Sequence, residues 1–186
     1  MPDFTLTAAP PLAGLHHSID GTTLTSPEGL AIVSLALPLG AEDKAEKAIK
    51  TAFGALPDVG LSSEAKGHRL LRMGQDQAFV IFECDTPDAE PKVAGKLKGA
   101  AYTTDQTDAW CILQLSGPRA RDVLERICMV NLHPDAFPVG ALARTIMEHM
   151  GSVVVRTEAD TYLLMSASSS AKSFAHAVEL SMDNIS

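Results

Sequence analysis

The chain has 186 residues, of which 46% are hydrophobic and 20% are charged, and its formal net charge at pH 7 is -8. A chain of this length and composition can bury a sizeable core, as one ordinary domain or as two small halves packed together. The negative balance argues against binding to nucleic acid or to an anionic membrane surface, because both need a surplus of Lys and Arg.

Residues 1–28 are rich in Pro, Thr, Ser and Gly. This composition predicts an extended N-terminal arm with little regular structure, lying on the surface or running across a partner chain. Met1–Leu15 has neither a basic region nor a long apolar run, so we expect no signal peptide, and no stretch is long enough for a transmembrane helix.

Regular elements begin after the arm and follow one another in a repeated order. In residues 29–104 the apolar spacing predicts a buried strand at 31–37, a helix at 41–56, a loop at 58–67, a hairpin of 69–73 with 78–82, a helix at 87–97 and a strand at 100–104. In residues 105–186 it predicts a strand at 109–115, a helix that begins at Ser116-Gly117-Pro118, a loop at 131–140, a strand at 142–150, a hairpin of 152–156 with 161–165 and a helix at 171–182.

Each half therefore consists of a strand, a helix, a hairpin and a helix. We expect an α+β fold: a single domain over residues 29–186, built from two similar halves divided near residue 104, with antiparallel sheets covered by helices.

The sequence contains no recognised catalytic or metal-binding motif. Phosphate-binding glycine loops, the serine nucleophile elbow and His or Cys pairs with metal-ligand spacing are all missing. Ser116 is interpreted as a helix cap, and Cys111 and Cys128 as core residues. We therefore predict no catalytic residue, no cofactor-binding residue and no metal ligand in this chain.

Several polar residues have two interpretations. Asp105 and Asp108 are typical of a turn but could hold a cation. Glu148 and His149, placed in one strand, would point to opposite faces and could not act as a pair. Arg144 could clamp a carboxylate or pair with an acid of a partner chain, and Trp110 belongs to the core or to an interface.

The second half of the sequence resembles the gamma subunit family of heterotetrameric sarcosine oxidase. The resemblance is carried, in order, by residues 105–118, 120–132, 133–138, 144–149, 160–164 and 173–175.

The resemblance implies a fold related to the aminomethyltransferase of the glycine cleavage system, which binds tetrahydrofolate in such relatives. It also implies a cytoplasmic complex with alpha, beta and delta subunits, which are expected to carry FAD, FMN, NAD and tetrahydrofolate. The whole enzyme oxidises sarcosine to glycine, hydrogen peroxide and a one-carbon unit. The gamma subunit is expected to stabilise its partners and to bind no cofactor itself.

The sequence departs from the aminomethyltransferases at one informative place. Those enzymes have a Gly-apolar-apolar-Asp-Asp stretch with the catalytic aspartate, whereas the nearest segment here is Gly151-Ser152-Val153-Val154-Val155. Because valine cannot accept a proton, no catalytic residue is carried over.

We expect the contacts with partners to involve five residues: Trp110, Arg119, Phe137, Arg144 and His149. Two alternatives stay open: a stand-alone protein that binds tetrahydrofolate or transfers aminomethyl groups, and an assembly protein of unrelated origin. Whether the substrate of the complex is sarcosine or another N-methyl amine such as dimethylglycine also stays open.

Overall fold

The computed structural model describes residues 9–185, which form two antiparallel sheets and four α-helices. In chain order the elements are β1 His16–Ile19, β2 Thr22–Thr25, β3 Leu30–Ala36, α1 Glu42–Ala52, β4 Ser62–Ala65, β5 His68–Arg72, β6 Gln77–Glu83, α2 Ala89–Leu97, β7 Tyr102–Asp105, β8 Trp110–Ser116, α3 Ala120–Glu125, β9 Leu142–Met147, β10 Met150–Glu158, β11 Thr161–Ala167 and α4 Ala171–Asp183.

The first sheet has the spatial order β4-β5-β6-β3-β7 and is covered on its outer face by α1 and α2. Strand β3 lies between β6 and β7, and its residues alternate between the two faces of the sheet. Val33 and Leu35 pack with Ile49 of α1 and Val93 of α2, whereas Ile32 faces the second sheet.

The second sheet has the order β1-β2-β8-β11-β10-β9 and is covered by α3 and α4. Leu113 and Leu164, from its two central strands, pack against Val123 of α3 and against Phe174 and Val178 of α4. Alternation along the strands sends the intervening side chains to the opposite face, toward the first sheet.

The inner faces of the two sheets form a shared apolar layer. Phe79 and Ile81 from the first sheet meet Val153, Val155 and Met165 from the second. The fold is therefore a sandwich of helices, sheet, sheet and helices. The α+β class is confirmed. Each half contains the predicted strand, helix, hairpin and helix, with one more strand between the first helix and the hairpin, β4 in the first half and β9 in the second.

The description of residues 1–28 as an arm with little regular structure is wrong for residues 16–25. There β1 and β2 form a hairpin that joins the second sheet beside β8. The two turn residues, Asp20 and Gly21, have φ values of 48° and 76°, which suit the tight hairpin turn that an Asp-Gly pair favours. Leu24 is completely buried, and this burial stabilises the hairpin against β8. The part of the prediction that concerns residues 1–8 lies outside the described residues, as does residue 186.

Two other segments differ from the prediction. The expected loop at 58–67 contains β4, and the expected single strand at 142–150 is two strands, β9 and β10. Glu148 and His149 form the turn between these two strands, with φ values of 45° and 70°. Both are therefore exposed at a hairpin tip and do not lie on opposite faces of one strand.

The predicted cap at Ser116 is also wrong, because Ser116 ends β8 and α3 begins at Ala120. The backbone N–H of Arg119, just before the helix, donates a hydrogen bond to the Thr22 side-chain oxygen at 3.1 Å. Thr22 of the N-terminal hairpin thus accepts a hydrogen bond from a backbone N–H at the start of α3. No local sequence pattern could predict this contact.

Candidate functional site

An open cleft of about 320 Å³ lies on the inner face of the second sheet, where the first sheet no longer covers it. It is lined by residues from three strands, from the end of β11 and from the segment that leads into β8: Gln106, Ala109, Trp110, Arg144, Thr145, Gly151, Ser152, Val153 and Ala167. We call it the Trp110–Arg144 cleft.

Strand register brings the lining residues together from distant parts of the chain. Trp110 on β8 is paired with Ala167 on β11, and Val153 on β10 is paired with Arg144 on β9. Gly151 also lies on β10, two residues before Val153, and its position is therefore on the same face of the sheet. The indole and the guanidinium thus stand on opposite sides of a floor of small residues.

One wall of the cleft is held in place by packing and by backbone hydrogen bonds. Half-buried Trp110 meets Phe79 of the first sheet edge-on, with ring centroids 5.8 Å apart and an interplanar angle of 67°. The backbone N–H of Gln106 donates to the Ile32 carbonyl at 2.8 Å, and the N–H of Thr107 donates to the Asp105 carboxylate at 2.8 Å. This wall of the cleft is therefore held by contacts with both sheets.

Asp105 thus takes part in a turn that leads into β8, as expected from its sequence context. Among residues 9–185, no three or more His, Cys, Asp or Glu side chains come together in a way that could hold a metal ion.

Within residues 9–185, Arg144 is the only charged side chain that lines the cleft. The hydroxyl of Ser152 is buried and donates to the Met150 carbonyl at 3.0 Å, so it is already used in the fold. None of the described residues that line the cleft is an acid, a histidine or a cysteine that could serve as a general base or a nucleophile. The arrangement can bind an anion but has no group for proton transfer.

The cleft contains Gly151, Ser152 and Val153, which belong to the segment that is nearest in sequence to the catalytic stretch of the aminomethyltransferases. Val153 lines the cleft, Val154 points into the helix-covered core and Val155 into the layer between the sheets. All three side chains are buried, and no carboxylate is present there. The residues present do not fit a folate site that depends on a carboxylate in this stretch.

The five residues predicted to contact partners lie in different places. Trp110 and exposed Arg144 share the cleft, and exposed His149 lies at the β9–β10 turn. Arg119 lies beside the N-terminal hairpin, where its guanidinium pairs with Asp122 at 2.8 Å. Phe137 is only 4% exposed and packs in the core of the second sheet, so its side chain offers no surface to a partner.

Sequence reasoning missed Gln106, Gly151 and Ala167 as parts of the cleft. A glutamine, a glycine and an alanine carry no chemical signal of their own. They become neighbours only through the pairing of β8, β11, β10 and β9.

A second groove of about 320 Å³ lies on the outer side of the second sheet, between α4 and the β9–β10 turn. Arg126, Glu148 and His176 line it together with apolar side chains such as Ile127 and Leu180. It presents both signs of charge, and therefore gives no clear preference for an anion or a cation.

The three cysteines differ in their surroundings. Burial raises the pKa of the Cys111 and Cys128 thiols, as is usual for small core residues. A backbone hydrogen bond with Thr86 lowers the pKa of the Cys84 thiol, and the Lys92 ammonium, 3.4 Å from the sulfur, acts in the same direction. Cys84 is half-buried, whereas Cys111 and Cys128 are buried, so we expect Cys84 to be the most reactive of the three thiols.

None of the helices within residues 9–185 is long and apolar enough to cross a membrane.

Comparison with known proteins bears on both the sequence and the fold. Residues 92–183 match the sarcosine oxidase, gamma subunit family. The fold is similar to a chain of the heterotetrameric sarcosine oxidase from Corynebacterium sp. U-96 in complex with pyrrole 2-carboxylate, with a TM-score of 0.77 and 24% identity over 88% of this chain and 84% of that chain.

The fold is also similar to the glycine cleavage system aminomethyltransferase T from Bartonella henselae, with a TM-score of 0.64 and 14% identity. This likeness covers 85% of the present chain but only 45% of that chain. No curated protein matches the sequence. The predicted resemblance to the gamma subunit family and the predicted aminomethyltransferase-like fold are confirmed.

Proposed function

We propose that this chain, which over residues 92–183 matches the sarcosine oxidase gamma subunit family, is the gamma-like subunit of a heterotetrameric sarcosine oxidase. In this role it stabilises the subunits that carry the flavins and the folate, and it takes no part in the chemistry itself. Its partners are the alpha, beta and delta subunits, in the cytoplasm, and the complex demethylates sarcosine oxidatively to glycine.

The observation that carries the proposal is the family match over residues 92–183. The cleft supports the non-catalytic part of the proposal, because its one charged group is Arg144 and it lacks a base or a nucleophile. Exposed apolar side chains elsewhere on the surface agree with a subunit that packs against others, since Leu39 is 98% and Met129 84% exposed.

Assembly with flavoprotein subunits tests the proposal. The tagged chain is co-expressed with the candidate flavoprotein subunits from the same genome and is then purified on its tag. We expect a yellow complex that forms hydrogen peroxide when sarcosine is added. Purification of the chain alone and monodisperse, with no flavoprotein bound, would contradict the proposal.

The control for a passive role is the same complex with Ser152→Ala in the cleft. We expect unchanged turnover with sarcosine, because the Ser152 hydroxyl already donates within the fold. A loss of turnover with intact assembly would mean that the cleft takes part in the reaction.

A stand-alone folate-binding protein is the second candidate, and the likeness to an aminomethyltransferase favours it. The valines at 153–155 oppose it, since the carboxylate of that stretch is absent. Calorimetric titration of the isolated chain with tetrahydrofolate separates the two candidates. Binding by a chain that does not assemble would place the folate-binding protein first.

A further inference from the structure

We infer that the Trp110–Arg144 cleft seats a carboxylate side chain of a partner subunit, with Arg144 as its counter-charge. The inference rests on the proposed function, because the occupant is an acidic residue of another subunit in the complex. It adds to that function one defined point of contact and the chemistry that recognises it.

The charge of Arg144 has no counterpart within residues 9–185. Its guanidinium makes no ion pair and no hydrogen bond with the described residues, and no acid lines the cleft. Of the other arginines, four pair with a carboxylate of the chain itself, namely Arg69, Arg72, Arg119 and Arg121. Arg126 lines the second groove together with Glu148. Another, Arg156, is buried and donates to the carbonyls of Phe137 and Ala159. Among residues 9–185, nothing therefore occupies the donors of Arg144, and a guanidinium prefers a carboxylate because two N–H groups can face two oxygens.

The charged groups near the cleft do not compensate Arg144. The Asp105 carboxylate accepts the N–H of Thr107 and does not line the cleft, and Asp108 is likewise not among the lining residues. Glu148 lines the groove on the outer side of the second sheet. The net charge of the chain is -8, so the Arg144 guanidinium is a local positive site on an acidic protein.

The shape of the cleft suits one side chain on an apolar or planar stem. Gly151 and Ala167 have little or no side chain, so they leave space above the floor of the cleft. Val153 and the Trp110 ring provide apolar surface. A volume of about 320 Å³ is at the small end of the range for ligand sites.

The surroundings favour a protein-borne carboxylate over a free one. Ile146, two residues from Arg144 on the same face of β9, is 50% exposed. Arginine and tryptophan beside exposed aliphatic surface are the composition of an interface centre, where closure removes water and strengthens the ion pair. A free carboxylate would gain no such closure, because the cleft is open to solvent.

Variants of two cleft residues test the inference in the assembled complex. Arg144→Gln removes the charge and keeps most of the length, Arg144→Lys retains the charge, and Gly151→Leu fills the floor without changing charge. A Cβ at Gly151 meets nothing within 4 Å, so this variant is expected to fold. Lys172→Gln is the matched control, because it makes the same charge change on the exposed face of α4.

The measurement is the Kd of each purified variant for the flavoprotein subunits, at low salt and at high salt, with thermal melting of the free chain as a check on folding. We expect Arg144→Gln and Gly151→Leu each to raise Kd about tenfold or more, and Lys172→Gln to leave it unchanged. We expect Arg144→Lys to restore part of the affinity, and Arg144→Gln to weaken the salt dependence of binding.

The outcomes separate this inference from the proposed function. If the unmodified chain does not assemble, the proposed function fails, and the inference fails with it. If it assembles, but Arg144→Gln binds as tightly, then the cleft does not seat a carboxylate of the partner. Titration with acetate and benzoate gives a further result: tight binding of either by the isolated chain, with assembly unaffected by Arg144→Gln, would assign the cleft to a free carboxylate.

Discussion

Replacement of Gly117 by alanine is expected to loosen the N-terminal hairpin from the rest of the second sheet. Gly117 lies between β8 and α3 with a φ of 126°. A Cβ built there would lie 2.4 Å from the carbonyl oxygen of Gly21 and 2.6 Å from the Cα of Thr22. Both contacts are with backbone atoms, so no side-chain rotation can relieve them.

The expected cost has two parts. A non-glycine residue in this region of φ costs about 1–3 kcal/mol. Overpacking against a neighbour that has to shift costs about 1–3 kcal/mol more. The Gly117→Ala variant should therefore lose roughly 2–6 kcal/mol in the free energy of unfolding, a large part of the 5–15 kcal/mol of an ordinary domain.

Substitutions at two other glycines distinguish the conformational cost from the cost of overpacking. Gly99 has a φ of 75° but nothing within 4 Å of a built Cβ, so Gly99→Ala should cost only the conformational part, about 1 kcal/mol. Gly95 lies inside α2 with open space around it, and Gly95→Ala should raise stability by about 0.5–1 kcal/mol.

Urea denaturation of the four proteins measures these differences. The reasoning predicts that stability decreases from Gly95→Ala through the unmodified chain and Gly99→Ala to Gly117→Ala. Protease sensitivity near residues 16–25 should rise in Gly117→Ala alone, because only that substitution disturbs the hairpin. Equal stability of Gly117→Ala and Gly99→Ala would refute the close approach of the hairpin to β8 and α3.

Three further predictions concern buried and titratable groups. The Tyr162 side chain is fully buried, and its hydroxyl has no hydrogen-bond partner among the described residues. The Tyr162→Phe variant should therefore be as stable as the unmodified chain, or more stable by about 1 kcal/mol, in urea denaturation. A loss of stability of that size would mean that ordered water satisfies the hydroxyl. Burial lowers the pKa of His68, so the unfolded chain binds more protons than the folded chain just below the ordinary His pKa, and stability falls as pH falls through that window. The His68→Phe variant should therefore show a flatter dependence of stability on pH in that window. An unchanged slope would rule out this contribution of His68. In the native protein, iodoacetamide should label Cys84 first, and the labelling rate should rise at a lower pH than for an ordinary thiol. Cys111 and Cys128 should react only after denaturation. Peptide mass spectrometry identifies the labelled residue in each case.

Much of the fold could be predicted from local patterns. The apolar run at 31–37 gave a buried strand because both of its faces are covered, by helices on one side and by the second sheet on the other. The helix at 171–182 and the hairpin of residues 69–73 with 78–82 were predicted within two residues of their observed bounds, since their apolar spacing matches the period of each element.

Other elements depended on contacts that are distant in sequence. The strand β4 has the polar sequence Ser-Ser-Glu-Ala, and it forms because β5 offers it a paired edge. The hairpin of β1 and β2 looked like an arm because its stabilising contacts are with β8, about ninety residues away. The Asp20-Gly21 turn is a local signal for this hairpin, since an Asp-Gly pair favours a tight hairpin turn.

By itself, the sequence determined the α+β class, most of the order of elements and the resemblance to the gamma subunit family. These follow from apolar periodicity and from the identity of residues, both of which are local properties. The tertiary structure alone decided that Trp110 and Arg144 share a cleft and that Phe137 belongs to the core. Those facts depend on the order and register in which β8, β11, β10 and β9 pair, and pairing between distant strands is set by the burial of whole faces rather than by any one segment.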